Sequence, residues 1–311
     1  MRNDSLLRAE KKISAAPQIG GTYPMLYAFF GGEGDLLREP FVRQVAAAVA
    51  SGAAGVSVLG LGTEVGKLGR AERRAAVEWV TEAVGGRLPI AVTVADGNVP
   101  DMIDSARFAR NAGAAWLILQ PPRPPASAAD LIGFFGAVAD SVDCPVGIQN
   151  APEFLGIGLS PAELLALHTA HPNVAVVKAE SSAVTVAGVV ETVGGRMKVF
   201  NGRAGLELTD NFRAGVDGMI PGIETVDFQV GIEKAMRAGD EAEAEALYRK
   251  VLPTLGFIMQ GLAHFVLYGK LIAAHRLGLP PSADRGPSDT ATVHGAAWAR
   301  RFAAELGPLP G

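Results

Sequence analysis

Eight short apolar runs recur along this chain, each followed by a longer stretch with helical spacing. That alternation constrains the fold more than any other feature. The runs that read as strands are residues 24–29, 55–59, 90–94, 116–120, 146–149, 174–178, 198–200 and 218–220. Helical patterns lie between them at 41–50, 70–84, 99–112, 128–142, 161–169, 184–193 and 205–214. Strand, helix, strand in succession requires crossover connections, which are right-handed and give a parallel sheet. Such a sheet is covered on both faces, so its strands are continuously apolar rather than alternating. Eight units of this kind close most naturally into a (β/α)8 TIM barrel, an α/β fold. Gly52, Gly113 and Gly215 follow helical patterns and suit left-handed helix ends.

The chain continues past the eighth strand. Residues 226–238 supply the barrel's last helix, and the patterns at 240–262, 263–277 and 292–306 are surplus. Asp240 suits an N-cap. The expected organisation is a barrel over 1–238, with a short N-terminal lead-in, and a helical appendage over 239–311 packed on it.

A chain of 311 residues accommodates one such barrel as a single domain. Only 19% of residues are charged and the net charge is -4, so no basic face follows and nucleic acid is not an expected partner. The single cysteine, Cys144, excludes an intrachain disulfide and reads as a small buried residue at a strand entrance. No segment approaches the ~20 uninterrupted apolar residues of a membrane span. Residues 1–16 lack the apolar stretch of a secretory signal, so a cytoplasmic protein is expected.

Lys178 closes the run Val174-Ala175-Val176-Val177-Lys178, which reads as a strand buried on both faces. Lysine is among the residues least often buried. Burial disfavours an ammonium, and a free amine is a nucleophile that forms a Schiff base with a carbonyl compound. The ordinary alternative is a lysine that snorkels to the surface. Its company favours a site. In a barrel of this kind the chemistry lies at the C-terminal ends of the strands. Those positions hold Tyr27, Gly60-Leu61-Gly62-Thr63-Glu64, Asp96, Gln120, Gln149 with Asn150, Glu180, Asn201-Gly202-Arg203, and Pro221-Gly222-Ile223-Glu224. Polar, glycine-rich loops on apolar strands suit backbone amides approaching a small anion.

These loops carry a family resemblance. The segment Gly60-Leu61-Gly62-Thr63-Glu64, with Leu68 and Glu72 following, is similar to the Gly-Thr-Thr-Gly-Glu loop of the dihydrodipicolinate synthase / N-acetylneuraminate lyase family. Gln149-Asn150-Ala151-Pro152 resembles its Tyr-Asn-x-Pro motif, and Val177-Lys178 its Schiff-base strand. Gly202 and Gly218-Met219-Ile220 fall where the family has its Gly-Asp and Gly-x-Ile-Ser strands. The resemblance covers nearly the whole chain, tail included. It implies an imine between Lys178 and the ketone of pyruvate or another 2-oxo acid. The protonated imine is an electron sink that permits C–C cleavage, C–C formation or loss of water. The resemblance also implies that the first loop, here with Gly62 and Thr63, holds the substrate carboxylate. It further implies a homo-oligomer, tetramer or dimer.

The departures bear on the substrate. The motif's tyrosine is Gln149, which cannot relay a proton as a phenol does. Phe154 stands where the synthases carry an arginine for a second carboxylate. Leu61-Gly62 replaces the Thr-Thr pair, and Gln120-Pro121-Pro122-Arg123 lacks the family's second tyrosine. Losing a bidentate arginine argues against the lysine-biosynthetic synthase. Other groups must then move protons: Tyr27, Glu180 and Glu224 are the catalytic candidates beside Lys178. If the strand runs past Lys178, its period of two places Glu180 on the same face. Asp227 reads as a first-turn helix charge. Gly62, Thr63, Gln149, Asn150, Asn201, Arg203 and Gly222 are the substrate-binding candidates. The histidines at 168, 171, 264, 275 and 294 show no metal-ligand spacing, and no nucleotide fingerprint follows the first strand. No metal or organic cofactor is expected. The leading function is a Schiff-base-forming lyase, aldolase or dehydratase, acting on a 2-oxo acid such as pyruvate or a keto-deoxy sugar acid. The alternative is a non-catalytic or regulatory small-molecule-binding barrel.

Overall fold

The computed structural model describes residues 19–122, 127–280 and 282–311; the lead-in at 1–16 and Arg123 lie outside the described residues. Eight parallel strands form one sheet: β1 (Gly21–Thr22), β2 (Val56–Val58), β3 (Ile90–Val94), β4 (Trp116–Leu119), β5 (Val146–Asn150), β6 (Val174–Ala179), β7 (Lys198–Asn201) and β8 (Gly218–Met219). Their order is β1-β8-β7-β6-β5-β4-β3-β2, so β2 to β8 pair with their neighbours in sequence and β1 pairs with β8. A bridge from Met25 to Ser57 draws the two ends together into a nearly closed barrel. The outer helices are α1 (Arg38–Ser51), α2 (Arg70–Val84), α3 (Val99–Asn111), α4 (Ala128–Ala139), the single turn α5 (Pro152–Leu155), α6 (Pro161–Ala170), α7 (Ala183–Val193), α8 (Leu208–Arg213) and α9 (Val226–Ala238).

The first strand departs from the expectation of residues 24–29. Its regular ladder stops at Thr22, before Pro24, which has no N–H to give. Bridges from Met25 to Ser57 and Gly222 continue the pairing, and at Tyr27 the amide side chain of buried Gln44 takes over. It accepts from the Tyr27 N–H (2.7 Å) and donates to the Tyr27 carbonyl (3.0 Å). Gly52 caps α1 in the left-handed region (φ 76°), as its place in the sequence predicts.

The lower interior of the barrel is filled by an aromatic trio. Tyr23, Trp116 and Phe200 meet with ring centroids 5.5–5.9 Å apart, in edge-on and tilted arrangements. Glycine makes room for them. A Cβ on Gly55 would fall 2.1 Å from the Tyr23 ring, and one on Gly218 would fall 2.4 Å from Phe200. The barrel is thus a packed core, not a pore. Cys144 is buried among apolar neighbours, and burial pushes its thiol up to about 11, so it is an inert packing residue.

Two helical expectations break where the backbone turns left-handed or extended. The pattern at 205–214 is a 3-10 turn, Arg203–Gly205, followed by α8, because Arg203, Ala204 and Glu207 all have positive φ (51–57°). The pattern at 240–262 ends early: α10 is Glu241–Ile258, with the Asp240 carboxylate accepting from the Glu243 N–H as an N-cap. The chain resumes at α11 (Leu262–His264), a π-helical stretch Phe265–Gly269, α12 (Lys270–Leu277) and α13 (Val293–Leu306).

Arg276 on α12, its side chain fully buried, fastens this tail to the barrel. It donates to the Glu224 carbonyl (2.6 Å) and to both oxygens of Asp227 (3.0 and 2.6 Å). Asp227 is therefore a first-turn charge with a partner from the tail. Among the described residues no single helix is long and apolar enough to cross a membrane.

Candidate active site

Lys178 sits on β6, opposite Gln149 on β5 and Phe200 on β7. The strand reaches Ala179, and the Glu180 N–H still pairs with the Asn150 carbonyl (3.0 Å). The two-residue period therefore holds, and Lys178 and Glu180 point the same way. Lys178 Nζ lies 2.9 Å from Glu180 Oε1, with both residues more than 90% buried. Gln149 Nε2 donates to the other carboxylate oxygen, Oε2, at 2.7 Å. Gln149 thus occupies the place of the family's tyrosine as an amide that steadies a carboxylate. Its own Oε1 has no hydrogen-bond partner among the described residues.

Lys178 and Glu180 line a small cavity at the C-terminal mouth. Gly62, Phe154, Arg203 and Ala204 line it from the loops, Met25, Ile220 and Pro221 from the first and eighth strand ends, and Met259, Leu262 and Phe265 from the tail. Gly202 is a functional position that its residue type alone did not disclose. A Cβ there would sit 2.4 Å from Glu180 Oε1, so glycine is what lets the carboxylate reach the lysine. In the first loop the Thr63 N–H donates to the Gly60 carbonyl (3.1 Å) and the Glu64 N–H to that of Leu61 (3.0 Å). Gly62, between those turn bonds, lines the cavity.

Several candidates have other work. Thr63 is buried and its hydroxyl donates to the Leu26 carbonyl at 2.6 Å. Asn150 brackets Leu159, donating to its carbonyl (2.9 Å) and accepting from its N–H (2.8 Å). Asn201 donates to the Ser181 carbonyl and the Asn211 side chain and accepts from the Gly202 N–H. These three shape loops and do not line the cavity. Strand-end asparagine is as good a loop bracket as a ligand, and nothing in their spacing separates the two uses.

Tyr27 and Glu224 do meet, but outside the cavity lining. The Tyr27 hydroxyl donates to Glu224 Oε2 at 2.9 Å, and both residues are fully buried. The Tyr27 ring packs on Phe265, 5.6 Å between centroids, and Phe265 lines the cavity where Tyr27 and Glu224 do not. Burial pushes the Tyr27 phenol well above its ordinary range, reinforced by the charge of Glu224. Burial also raises the Glu224 carboxyl to about 7, outweighing the phenol's hydrogen bond and the Arg276 charge. Gly222 lies against this pair: a Cβ there would meet Glu224 Oε2 at 2.0 Å and the phenol at 2.8 Å.

Arg203 does line the cavity. Its NH1 group donates to Glu207 Oε2 at 3.0 Å, while its buried Nε has no partner among the described residues. Among the described residues no three His, Cys, Asp or Glu side chains cluster to hold a metal ion.

A parallel barrel with a buried lysine ending its sixth strand, a carboxylate on its amine and a cavity in front is the apparatus of a class I, lysine-imine lyase. The chain belongs to the dihydrodipicolinate synthetase family, whose model matches residues 18–292. Among its curated relatives is the protein provisionally named 2-dehydro-3-deoxy-D-gluconate aldolase YagE, from Escherichia coli K12. It is 28% identical over 278 residues, covering 84% of this chain and 90% of the relative. The 4-hydroxy-tetrahydrodipicolinate synthase of Symbiobacterium thermophilum is 29% identical over 272 residues, covering 84% and 89%. The crystal structure of YagE in complex with pyruvate superposes with a TM-score of 0.84 at 25% identity, over 93% of this chain and 99% of that one. A sialic acid aldolase of Ruminococcus gnavus shares the fold at TM-score 0.84 and 21% identity, over 92% and 96%.

Proposed function

We propose that this protein is a Schiff-base lyase whose imine forms between Lys178 and the ketone of pyruvate or a related 2-oxo acid, including keto-deoxy sugar acids. The observation that carries this reading is the Lys178 amine, buried, facing a cavity and 2.9 Å from a carboxylate. An ammonium cannot attack a carbonyl, so its proton must leave, and Glu180 is the nearest base. The amine then adds to the ketone carbon, the acid form of Glu180 returns its proton to the departing hydroxyl, and water leaves to give the protonated imine. Loss of a proton from the neighbouring methyl carbon gives an enamine, and Glu180 is placed to take it. The enamine carbon bonds to an aldehyde carbon, the aldehyde oxygen gains a proton, and water releases the product from the lysine. Cleavage is the same sequence reversed. Loss of water beside the imine uses the same lysine, so a dehydratase would share the site. The Gly62 amide is suited to the substrate carboxylate and Arg203 to its far end.

Borohydride reduction with pyruvate should trap a covalent adduct, located on Lys178 by peptide mass. Failure to trap pyruvate or any other 2-oxo acid would refute the reading. A non-catalytic or regulatory binding barrel is favoured by one observation: the Lys178–Glu180 ion pair is also what a purely structural lysine makes. Such a protein has no turnover to lose. We propose further that the protein works in the cytoplasm as a homo-oligomer, tetramer or dimer. Cell fractionation and light scattering of the purified chain test those two statements.

A further inference from the structure

Arg203 is the side chain on the lining of the Lys178 cavity with a whole hydrogen-bonding edge unused. Lys178 and Glu180 face each other, and the other side chains on the lining are apolar. Arg203 Nη1 donates to Glu207 Oε2 at 3.0 Å, and no other nitrogen of the guanidinium has a partner among the described residues. Nε, which is buried, and Nη2 form the second edge of the planar fork. Glu207 does not cancel the charge behind that edge. Its side chain is 39% exposed, against 21% for Arg203, so solvent screens the pair. The loop that carries Arg203 is strained and held. Arg203, Ala204 and Glu207 adopt left-handed backbone without being glycine (φ 51–57°). Buried Gln229 donates to the Ala204 carbonyl (2.7 Å), and the Glu207 N–H donates to the Tyr248 hydroxyl (2.7 Å). A Cβ on Gly205 would fall 2.2 Å from Gln229 Nε2. Backbone strain fixed by its surroundings points to a segment kept for function.

We infer that the aldehyde partner of this lyase carries a carboxylate, and that Arg203 receives it through Nε and Nη2. This rests on the Schiff-base reading above and narrows it to 2-oxo diacids. The free edge offers two parallel donors and a positive charge, which a carboxylate matches with both of its oxygens. A substrate hydroxyl would use one donor and leave the other unpaired. In the direction of synthesis, the enamine carbon of the pyruvate adduct bonds to the aldehyde carbon, and the aldehyde oxygen takes one proton. The water lost in forming the imine returns at release, nothing is oxidised, and the product is a 4-hydroxy-2-oxo diacid. Its far acid end is received after β7, whereas on the β5 side Phe154 offers only a ring.

Pyruvate trapping on wild-type Lys178 is measured first; without an adduct the lyase reading fails, and this inference with it. Aldol rates with pyruvate are then compared for two acid aldehydes, glyoxylate and succinic semialdehyde, and for butanal, D-glyceraldehyde and D-glyceraldehyde 3-phosphate. The better acid aldehyde should show a kcat/KM at least tenfold above butanal and D-glyceraldehyde. Arg203→Asn accepts left-handed backbone and removes both charge and fork. It should cut the ratio of that acid aldehyde to butanal tenfold or more. Arg203→Lys keeps a point charge without the fork and should cut the ratio by less. Circular dichroism accompanies each variant, and if the Asn protein does not fold the Lys protein must still lower the ratio. An adduct on Lys178 without preference for an acid aldehyde overturns this inference alone. So does a ratio that neither substitution moves, which would leave Arg203 a structural partner of Glu207. A preference for the phosphorylated aldehyde over both acids overturns the carboxylate assignment.

Discussion

Glu180 and Glu224 are both buried carboxyl groups in the loops that follow barrel strands, β6 and β8. They differ in what faces them. Glu180 has an ammonium at 2.9 Å and an amide N–H at 2.7 Å, and lines the cavity. Glu224 has a phenol at 2.9 Å and one oxygen without a hydrogen-bond partner among the described residues, and is not on the cavity lining. The two carboxylates share a position in the fold and differ in partner and in access to the cavity. The first is equipped to exchange protons with a reacting group. The second bonds Tyr27 through its side chain and Arg276 of the tail through its backbone carbonyl.

The strongest attack on that contrast is on the lysine that defines it. Lys178→Arg keeps a cation beside Glu180, so the buried carboxylate is not stranded, an error that costs about 3–5 kcal/mol. A guanidinium cannot be a free amine. Borohydride trapping should vanish and turnover should fall by about 10⁴-fold or more, with circular dichroism unchanged. Retention of turnover would mean that no imine is used. Next comes Glu180→Gln, which keeps shape and hydrogen bonding but removes the base. A loss of about 10²–10⁴-fold in kcat is expected, with the pyruvate adduct forming more slowly but still on Lys178. A smaller effect follows for Gln149→Leu. The hydrogen bond to a charged group is worth about 1.5–3 kcal/mol, so kcat should drop about tenfold or somewhat more while the adduct still forms. A rise in KM alone would instead make Gln149 a direct substrate contact.

The architecture was legible because its signal is redundant. Eight apolar runs and their helices all point to one topology, and errors at single ends do not matter. The first strand was misplaced because Gln44, a residue on a helix, does the pairing that the sequence assigns to strand neighbours. At the site, the contact between Lys178 and Glu180 was legible for a local reason, the two-residue period of a strand. Asn150, Asn201 and Thr63 were not, because an amide or hydroxyl at a strand end serves a loop as readily as a ligand. Tyr27 and Glu224 were unreadable for a non-local reason. Phe265 packs on Tyr27 and Arg276 bonds the Glu224 carbonyl, both from the tail, and no spacing in the first 238 residues carries that information. Arg203 reaches the cavity through left-handed backbone at a non-glycine residue, which sequence patterns do not foresee.

Glu224→Gln tests the other half of the contrast and has the smallest expected effect on catalysis, within a few-fold in kcat. Its effect on stability has a definite sign. The folded protein holds the Glu224 proton up to about pH 7, against a usual value of 4.5. Between those values the folded state binds more protons than the unfolded chain, so wild-type stability falls as pH rises from about 4.5 to about 7 and is level above that. At about 1.36 kcal/mol per pKa unit the fall is of the order of 3 kcal/mol. Glutamine does not titrate, still accepts from the Tyr27 hydroxyl, and puts its amine group where Oε1 already lacks a partner. The variant should therefore have a higher Tm than wild type at pH 8, and that advantage should shrink steadily toward pH 5. A large loss of kcat with no change in the pH slope of Tm would reverse the assignment: Glu224 would then be the proton carrier and the Phe265 wall would have to open during turnover.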